Sequence, residues 1–416
     1  MSKLIKFIFA LSAFFCFSAQ LWAQGNRGIP IVRDLQRERD SLASKEPVPQ
    51  KDLYDVLKSW MGKPKPTVPH KDTITSKPNI SLIPAVGYTL TTGFALSLSG
   101  NMQFRLDSTA RVSTVTASAA VSTNKQLIIP VQSTIWLKNS NYVLIGDYRF
   151  YKYPQSTYGL GTNSKPEDEN PMNFNYIRFY ETLLRKITGN FYLGAGYIID
   201  YYANISEKGT KSGAPSAYEL YGMLPHTVSS GLTLNALFDS RDNAINASKG
   251  AYASMQLRTN FEFLGSNSGW QSLIIDARKY FNFPAGSKNV LAFWNYDWVV
   301  ISGKPPYLNL PANAWDSYST TGRGYVQGRF RGAQMIYLES EYRFRLTKNG
   351  LLGGVIFANA ESFSAAPGSG LQSIQPAFGP GLRLKLNKVS KTNIGLDYGF
   401  GTGGSSGLFV CVGEVF

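Results

Sequence analysis

From residue 80 to residue 416 the apolar residues of this chain recur at every second position. Successive side chains of a strand point to opposite faces, so the chain must build sheet with one apolar and one polar face. Phe94, Leu96 and Leu98 alternate with Ala95, Ser97 and Ser99, and Tyr142, Leu144, Tyr148 and Phe150 alternate with Asp147 and Arg149. Further on, Leu382, Leu384 and Leu386 flank Arg383 and Lys385, while Ile394, Leu396, Tyr398 and Phe400 flank Asn393, Gly395, Asp397 and Gly399. After residue 23 there is no run of about 18 apolar residues, so a transmembrane helix is excluded.

Composition selects among sheet proteins. Aromatic residues make up 13% of the chain, with 24 Tyr and 25 Phe beside 39 Gly, and charged residues only 17%, against roughly 25% in ordinary soluble domains. An apolar, aromatic exterior around a polar interior is the pattern of a membrane-spanning β-barrel, and it accounts for the mild mean hydropathy of −0.15.

Parsing the alternation yields an all-β chain of about sixteen antiparallel strands, from one at 81–89 to one at 406–416. Strands of a closed barrel alternate in direction, so connections sort by side. With both ends periplasmic, the long segments 154–172, 204–228, 303–333 and 363–374 all fall outside, and the short turns at 138–140, 188–189, 348–350 and 387–391 all fall inside. The expected fold is therefore a 16-stranded antiparallel transmembrane β-barrel over residues 80–416, with a long extracellular loop between strands 11 and 12.

Ahead of the barrel, Lys3 and Lys6, the apolar run Leu4 to Phe17 and Leu21-Trp22-Ala23 read as a secretory signal over 1–23. Ala13-Phe14-Phe15 before Cys16 lacks the small residues of a lipoprotein box, so no lipid anchor is expected. With the signal removed, Cys411 is the remaining cysteine and no intrachain disulfide can form. Residues 24–79 hold seven prolines and Lys63-Pro64-Lys65-Pro66, which reads as a periplasmic tether with short helices at 35–43 and 52–61. In the second helix Leu53, Val56, Leu57 and Trp60 share a face; that stripe either docks in the barrel, lies on the membrane, binds a partner or belongs to a plain tether.

The formal charge of +15 does not point to nucleic acid in an exported chain. It fits anionic lipid headgroups, a cationic lumen or a solvated surface. Enzymatic readings find little support: His70 and His226 are the two histidines, too few for a metal cluster. Gly403-Gly404-Ser405-Ser406-Gly407 matches a nucleophile elbow in letters, but it joins two strands where an elbow leads into a helix. The expectation is a non-enzyme with no cofactor and no metal, the weighed alternative being a lipid hydrolase that uses His226.

Three segments resemble the BamA/TamA superfamily of outer-membrane assembly and translocation barrels. Leu237-Phe238-Asp239-Ser240-Arg241-Asp242-Asn243, followed by Lys249-Gly250, is similar to the family's Asp-x-Arg-Asp turn between the eighth and ninth strands. Gly322-Arg323-Gly324-Tyr325 resembles the Val-Arg-Gly-Tyr/Phe motif of the sixth extracellular loop, which folds back into the lumen, with Gly322 in place of the usual valine. Gly379-Pro380-Gly381-Leu382-Arg383, Leu396-Asp397-Tyr398-Gly399 and the strand ending at Phe416 resemble the family's last three strands, Phe416 standing where the assembly machinery reads its C-terminal sorting signal.

The resemblance implies that Arg323, with Gly324 and Tyr325, latches the loop inside the lumen. Where the family has an Asp in a Phe-x-Asp-x-Gly motif, this chain has Phe357-Ala358-Asn359-Ala360. Asn359 brings no charge, so Glu339 or Glu341, placed inward by the alternation of strand 336–346, is expected to hold the arginine; the alternative leaves Arg323 in a solvated outer loop. The tether is too short for the family's POTRA modules. The function implied is insertion or translocation of polypeptides at the bacterial outer membrane through a lateral seam. Its expected partners are outer-membrane lipids, client outer-membrane proteins or a separate periplasmic protein. A passive channel, specialised transporter or structural, surface-binding barrel is the alternative.

Overall fold

The computed structural model describes residues 48–62, 78–89 and 91–416. The segment read as a signal at 1–23, the helix expected at 35–43 and His70 lie outside these residues. The expected second helix is present as α1 (Leu53–Trp60), closed at its start by a capping box in which Asp52 and Asp55 each accept the other's backbone N–H, at 2.9 and 3.2 Å. Among the described residues no helix is long and apolar enough to cross a membrane.

The rest is one antiparallel sheet of seventeen strands. They are β1 (Asn79–Thr89), β2 (Gly93–Phe104), β3 (Ser113–Ser122), β4 (Leu127–Trp136), β5 (Tyr142–Lys152), β6 (Gln155–Thr157), β7 (Asn170–Thr188), β8 (Phe191–Glu207) and β9 (Thr227–Asp239). There follow β10 (Gly250–Asn260), β11 (Trp270–Asn282), β12 (Val290–Gly303), β13 (Gln334–Arg345), β14 (Leu352–Ser364), β15 (Gln375–Asn387), β16 (Thr392–Phe400) and β17 (Ser406–Val412). Each strand pairs with the next, except that β5 and β6 share one edge of β7. Pro154 has no N–H to donate and breaks β5; β6 resumes the same ladder at Gln155↔Met172. The loop expected between strands 11 and 12 thus lies between β12 and β13.

Alternation divides the faces as the pattern demands. On β7, Met172, Phe174, Tyr176 and Arg178 are buried while Ile177, Phe179 and Leu183 are exposed. The sheet wraps the loop 304–333, whose residues touch strands far apart in sequence. Tyr307 meets Thr157 at 2.6 Å, Tyr202 donates to the Leu308 carbonyl at 3.2 Å, and Trp315 packs on Tyr153 and Tyr176 with ring centroids 5.9 and 5.7 Å apart.

One expectation is corrected. The strand expected at 406–416 stops at Val412: Gly413 takes φ +102° and residues 413–416 turn inward. Phe416 stacks on Trp294 at 5.2 Å and its carbonyl accepts from Arg343 at 2.9 Å, so it is an interior aromatic and not the end of a ladder. Arg345 continues the inward face of Glu339, Glu341 and Arg343 and is exposed at the end of β13. Among the described residues no ladder joins β1 to β17, although a Cβ at Gly87 would lie 3.7 Å from that of Val410.

Candidate functional site

The loop presents Arg323 to three strands. Its side chain is 2% exposed. One guanidinium nitrogen pairs with both Glu339 and Glu341 of β13, the other with Asp397 of β16 at 2.5 Å, and the group lies 3.8 Å from the centre of the Phe357 ring on β14. The acids are shared. Arg343 donates to Glu341 at 2.6 Å, Arg383 pairs with Asp397 and donates to Glu414 at 2.8 Å, and Tyr337 donates to Glu339. Three guanidinium groups thus face four carboxylates. A buried cluster of this kind is costly to break from one side, because the partners left behind keep their charge without compensation.

Asn359 joins the site through the loop's main chain. It stands where the resembled motif has an aspartate, and its Nδ2 donates to the Arg323 backbone carbonyl at 2.9 Å. It holds the loop's main chain and leaves the charge to the glutamates and Asp397.

The neighbours of Arg323 follow from backbone geometry. Gly322 has φ +77°, and a Cβ there would come within 2.9 Å of Asn313 Nδ2 and 3.1 Å of the buried Glu361 carboxylate. A valine fits neither the conformation nor the space. Gly324, φ +115°, presses on β15 and β16: a Cβ would meet Ala377 at 2.6 Å, and one at Gly399 would meet the Gly324 nitrogen at 2.7 Å. Gly399 and Gly401 make room for this loop. Tyr325 donates to the Pro376 carbonyl at 2.7 Å and receives the Thr402 N–H at 3.0 Å. Ser405, the nucleophile position of the elbow-like motif, donates to the Gly324 carbonyl at 2.7 Å, a structural bond at a hairpin.

The turn residues sit between β9 and β10. Arg241 pairs with Asp239 at 2.9 Å and covers the Tyr252 ring at 4.4 Å. Asp242 accepts from Ser248 N and Oγ at 2.8 and 2.7 Å and from Lys391 at 3.3 Å. Burial raises the Asp242 pKa, but these Ser248 and Lys249 bonds and Lys391 outweigh it, leaving a net lowering. His226 is exposed beside β9, and among the described residues no group of three or more metal-ligating side chains occurs.

Sequence reasoning missed Asp397, Arg383, Arg343 and Glu414 as members of the site. Alternation had put Asp397, Arg383 and Arg343 on the inner face; what was missing was that β13, β16 and residues 413–416 converge on one point.

No family model matches the chain, and no curated protein does. Among solved structures it is similar to BamA from Haemophilus ducreyi lacking POTRA domains 1–3, with TM-score 0.51 and 12% identity over 81% of this chain and 70% of that one. CdiB from Acinetobacter baumannii gives TM-score 0.51 and 12% identity over 81% of this chain and 59% of that chain, so this chain spans less than two-thirds of CdiB. At such identity the likeness is one of fold: the antiparallel sheet of this chain is similar to the barrels of BamA and CdiB.

Proposed function

We propose that the chain is a bacterial outer-membrane barrel of sixteen strand positions, β5 and β6 sharing one, that assists insertion or translocation of polypeptides through the seam between β1 and β17. The observation that carries this reading is that seam. β1 and β17 lie side by side with no ladder among the described residues, and β17 ends at Val412 while β1 runs eleven residues. An unpaired edge is a template for a further strand, which is how a client hairpin engages a sheet. Arg323 acts as the latch that keeps the loop inside while the edge is free to move.

Locking the seam tests it. Cysteines at Gly87 and Val410 suit a disulfide, since the Cβ separation of 3.7 Å lies within the roughly 3.5–4.5 Å such bonds need. Gly87→Cys with Val410→Cys should abolish acceleration of barrel-client insertion into liposomes when oxidised and restore it on reduction. Equal acceleration by oxidised and reduced protein would refute the lateral mechanism.

A second reading, a passive channel, is favoured by the small neutral residues on the inner face of β2 and β3, Ala95, Ser97, Ser99, Thr116 and Ser118. It expects ion conductance in planar bilayers that the oxidised seam leaves unchanged.

A further inference from the structure

The helix α1 meets the sheet with its polar side. Asp52 accepts the Lys388 backbone N–H at 3.0 Å, Asp55 receives Lys388 Nζ at 3.0 Å, and Lys51 N donates to the Asn349 carbonyl at 3.1 Å. With about 3.6 residues per turn, Asp52 and Asp55 lie along the side that meets the sheet, and Tyr54, Leu57, Trp60 and Met61 along the other. Those four are 60, 43, 81 and 61% exposed. An amphipathic helix on a water-soluble protein turns its apolar side to the core; here Leu53 and Val56 of the stripe are half-buried, while Leu57 and Trp60 stay exposed with Tyr54 and Met61.

Asn349 lies in the turn from β13 to β14 and Lys388 in the turn from β15 to β16. Leu346 and Leu352, flanking the first of these turns, are exposed on the apolar outer side of the sheet. The turn that holds Lys51 ahead of α1 is thus flanked by that exterior. Lys51 precedes the helix and Lys58 lies within it, its Nζ 4.4 Å from the centre of the Tyr54 ring. This is the makeup of a helix lying in a membrane interface, with aromatic and aliphatic residues dipped below the headgroups and lysines among them.

We propose that α1 is an interfacial foot: Asp52 and Asp55 clamp it to the periplasmic turns of the barrel, and Tyr54, Leu57, Trp60 and Met61 enter the inner leaflet of the membrane beside β13 to β16. The inference rests on the sheet spanning that membrane, so its test carries a separate probe of the sheet.

Met61→Cys and Phe378→Cys, made separately with Cys16→Ser and Cys411→Ala, are labelled with a fluorophore and reconstituted in vesicles of phosphatidylethanolamine and phosphatidylglycerol. Phe378 lies on the exposed outer face of β15. Lipid-borne nitroxide should quench both labels. Iodide should quench the Met61 label about fivefold less than in a chain also carrying Leu57→Glu and Trp60→Glu. A Met61 label open to iodide while the Phe378 label is shielded overturns the foot and leaves the barrel standing; both open to iodide overturns the barrel reading. Shielding of Met61 in cell envelopes but not in these vesicles also overturns the proposal, in favour of a protein covering α1.

Discussion

Along β2 and β3 the inner face of the sheet carries Ala95, Ser97, Ser99, Thr116 and Ser118, small and uncharged, half-buried or exposed. From β5 to β16 the same face carries tyrosines, tryptophans and ion pairs, nearly all buried. Arg178 bridges Asp147 at 3.1 Å and Asp200 at 3.5 Å, and Arg258 meets Asp200 at 2.6 Å. The backbone architecture is shared, so the contrast lies in side-chain volume and charge. One side grips the loop through rings and guanidinium groups; from the other, Gln132 reaches the Ser317 carbonyl at 2.6 Å. The gripping side holds the shape, and the sparse side adjoins the β1–β17 seam, where movement costs least packing.

The largest expected effect comes from removing the grip at its centre. Arg323→Ala leaves Glu339, Glu341 and Asp397 facing one another with two guanidinium groups, and should cost about 3–5 kcal/mol. Thermal unfolding in detergent and protease access to 303–333 measure it. If Arg323→Ala unfolds at the same temperature as the wild type, the two sides do not differ in grip.

Asn359→Asp comes next. On sequence grounds alone, an aspartate at this position, as in the motif the segment resembles, would be expected to tighten the loop. The geometry predicts the reverse: the donor to the Arg323 carbonyl is lost and a fifth acid joins four, a cost of about 1–3 kcal/mol. A rise in melting temperature would show that the cluster can rearrange around a new charge.

On the sparse side, Gln132→Ala should cost only about 0.5–1.5 kcal/mol, the worth of one hydrogen bond. A loss as large as that of Arg323→Ala would erase the contrast between the sides.

The smallest effect concerns α1. Burial raises the Asp55 pKa, but Lys388 and the Asp52 backbone outweigh it and hold the carboxyl below its ordinary value. A lowered carboxylate stabilises the docked helix at pH above the free value, about 3.9, and loses that contribution as pH falls through the docked value. The anisotropy of a Met61 label in detergent should therefore be flat from about pH 5 to 8 and fall below about pH 4, and Asp55→Asn should remove the step.

Much of this was legible in advance, and for local reasons. A period of two assigns each residue to a face whatever the sheet does next, which is why spacing alone turns Glu339 and Glu341 toward Arg323. Gly413 shows the limit. Its alternating neighbours read as strand to Phe416, yet a left-handed φ and an aromatic pocket of Tyr280 and Trp294 draw the last residues inward. Asn359 shows another: its face was right, but which of its atoms would be used depended on where the loop's backbone came to rest.

By itself, then, the sequence determined the sheet, its two faces, the strand directions and the inward acids, because each follows from spacing along one chain. The tertiary structure alone decided that Arg323, Arg343 and Arg383 share Glu339, Glu341, Asp397 and Glu414, that Gly399 and Gly401 are space for a loop, and that α1 leaves Tyr54, Leu57, Trp60 and Met61 exposed. Those depend on the curvature of the sheet, which brings segments more than seventy residues apart, such as Arg323 and Asp397, within bonding distance.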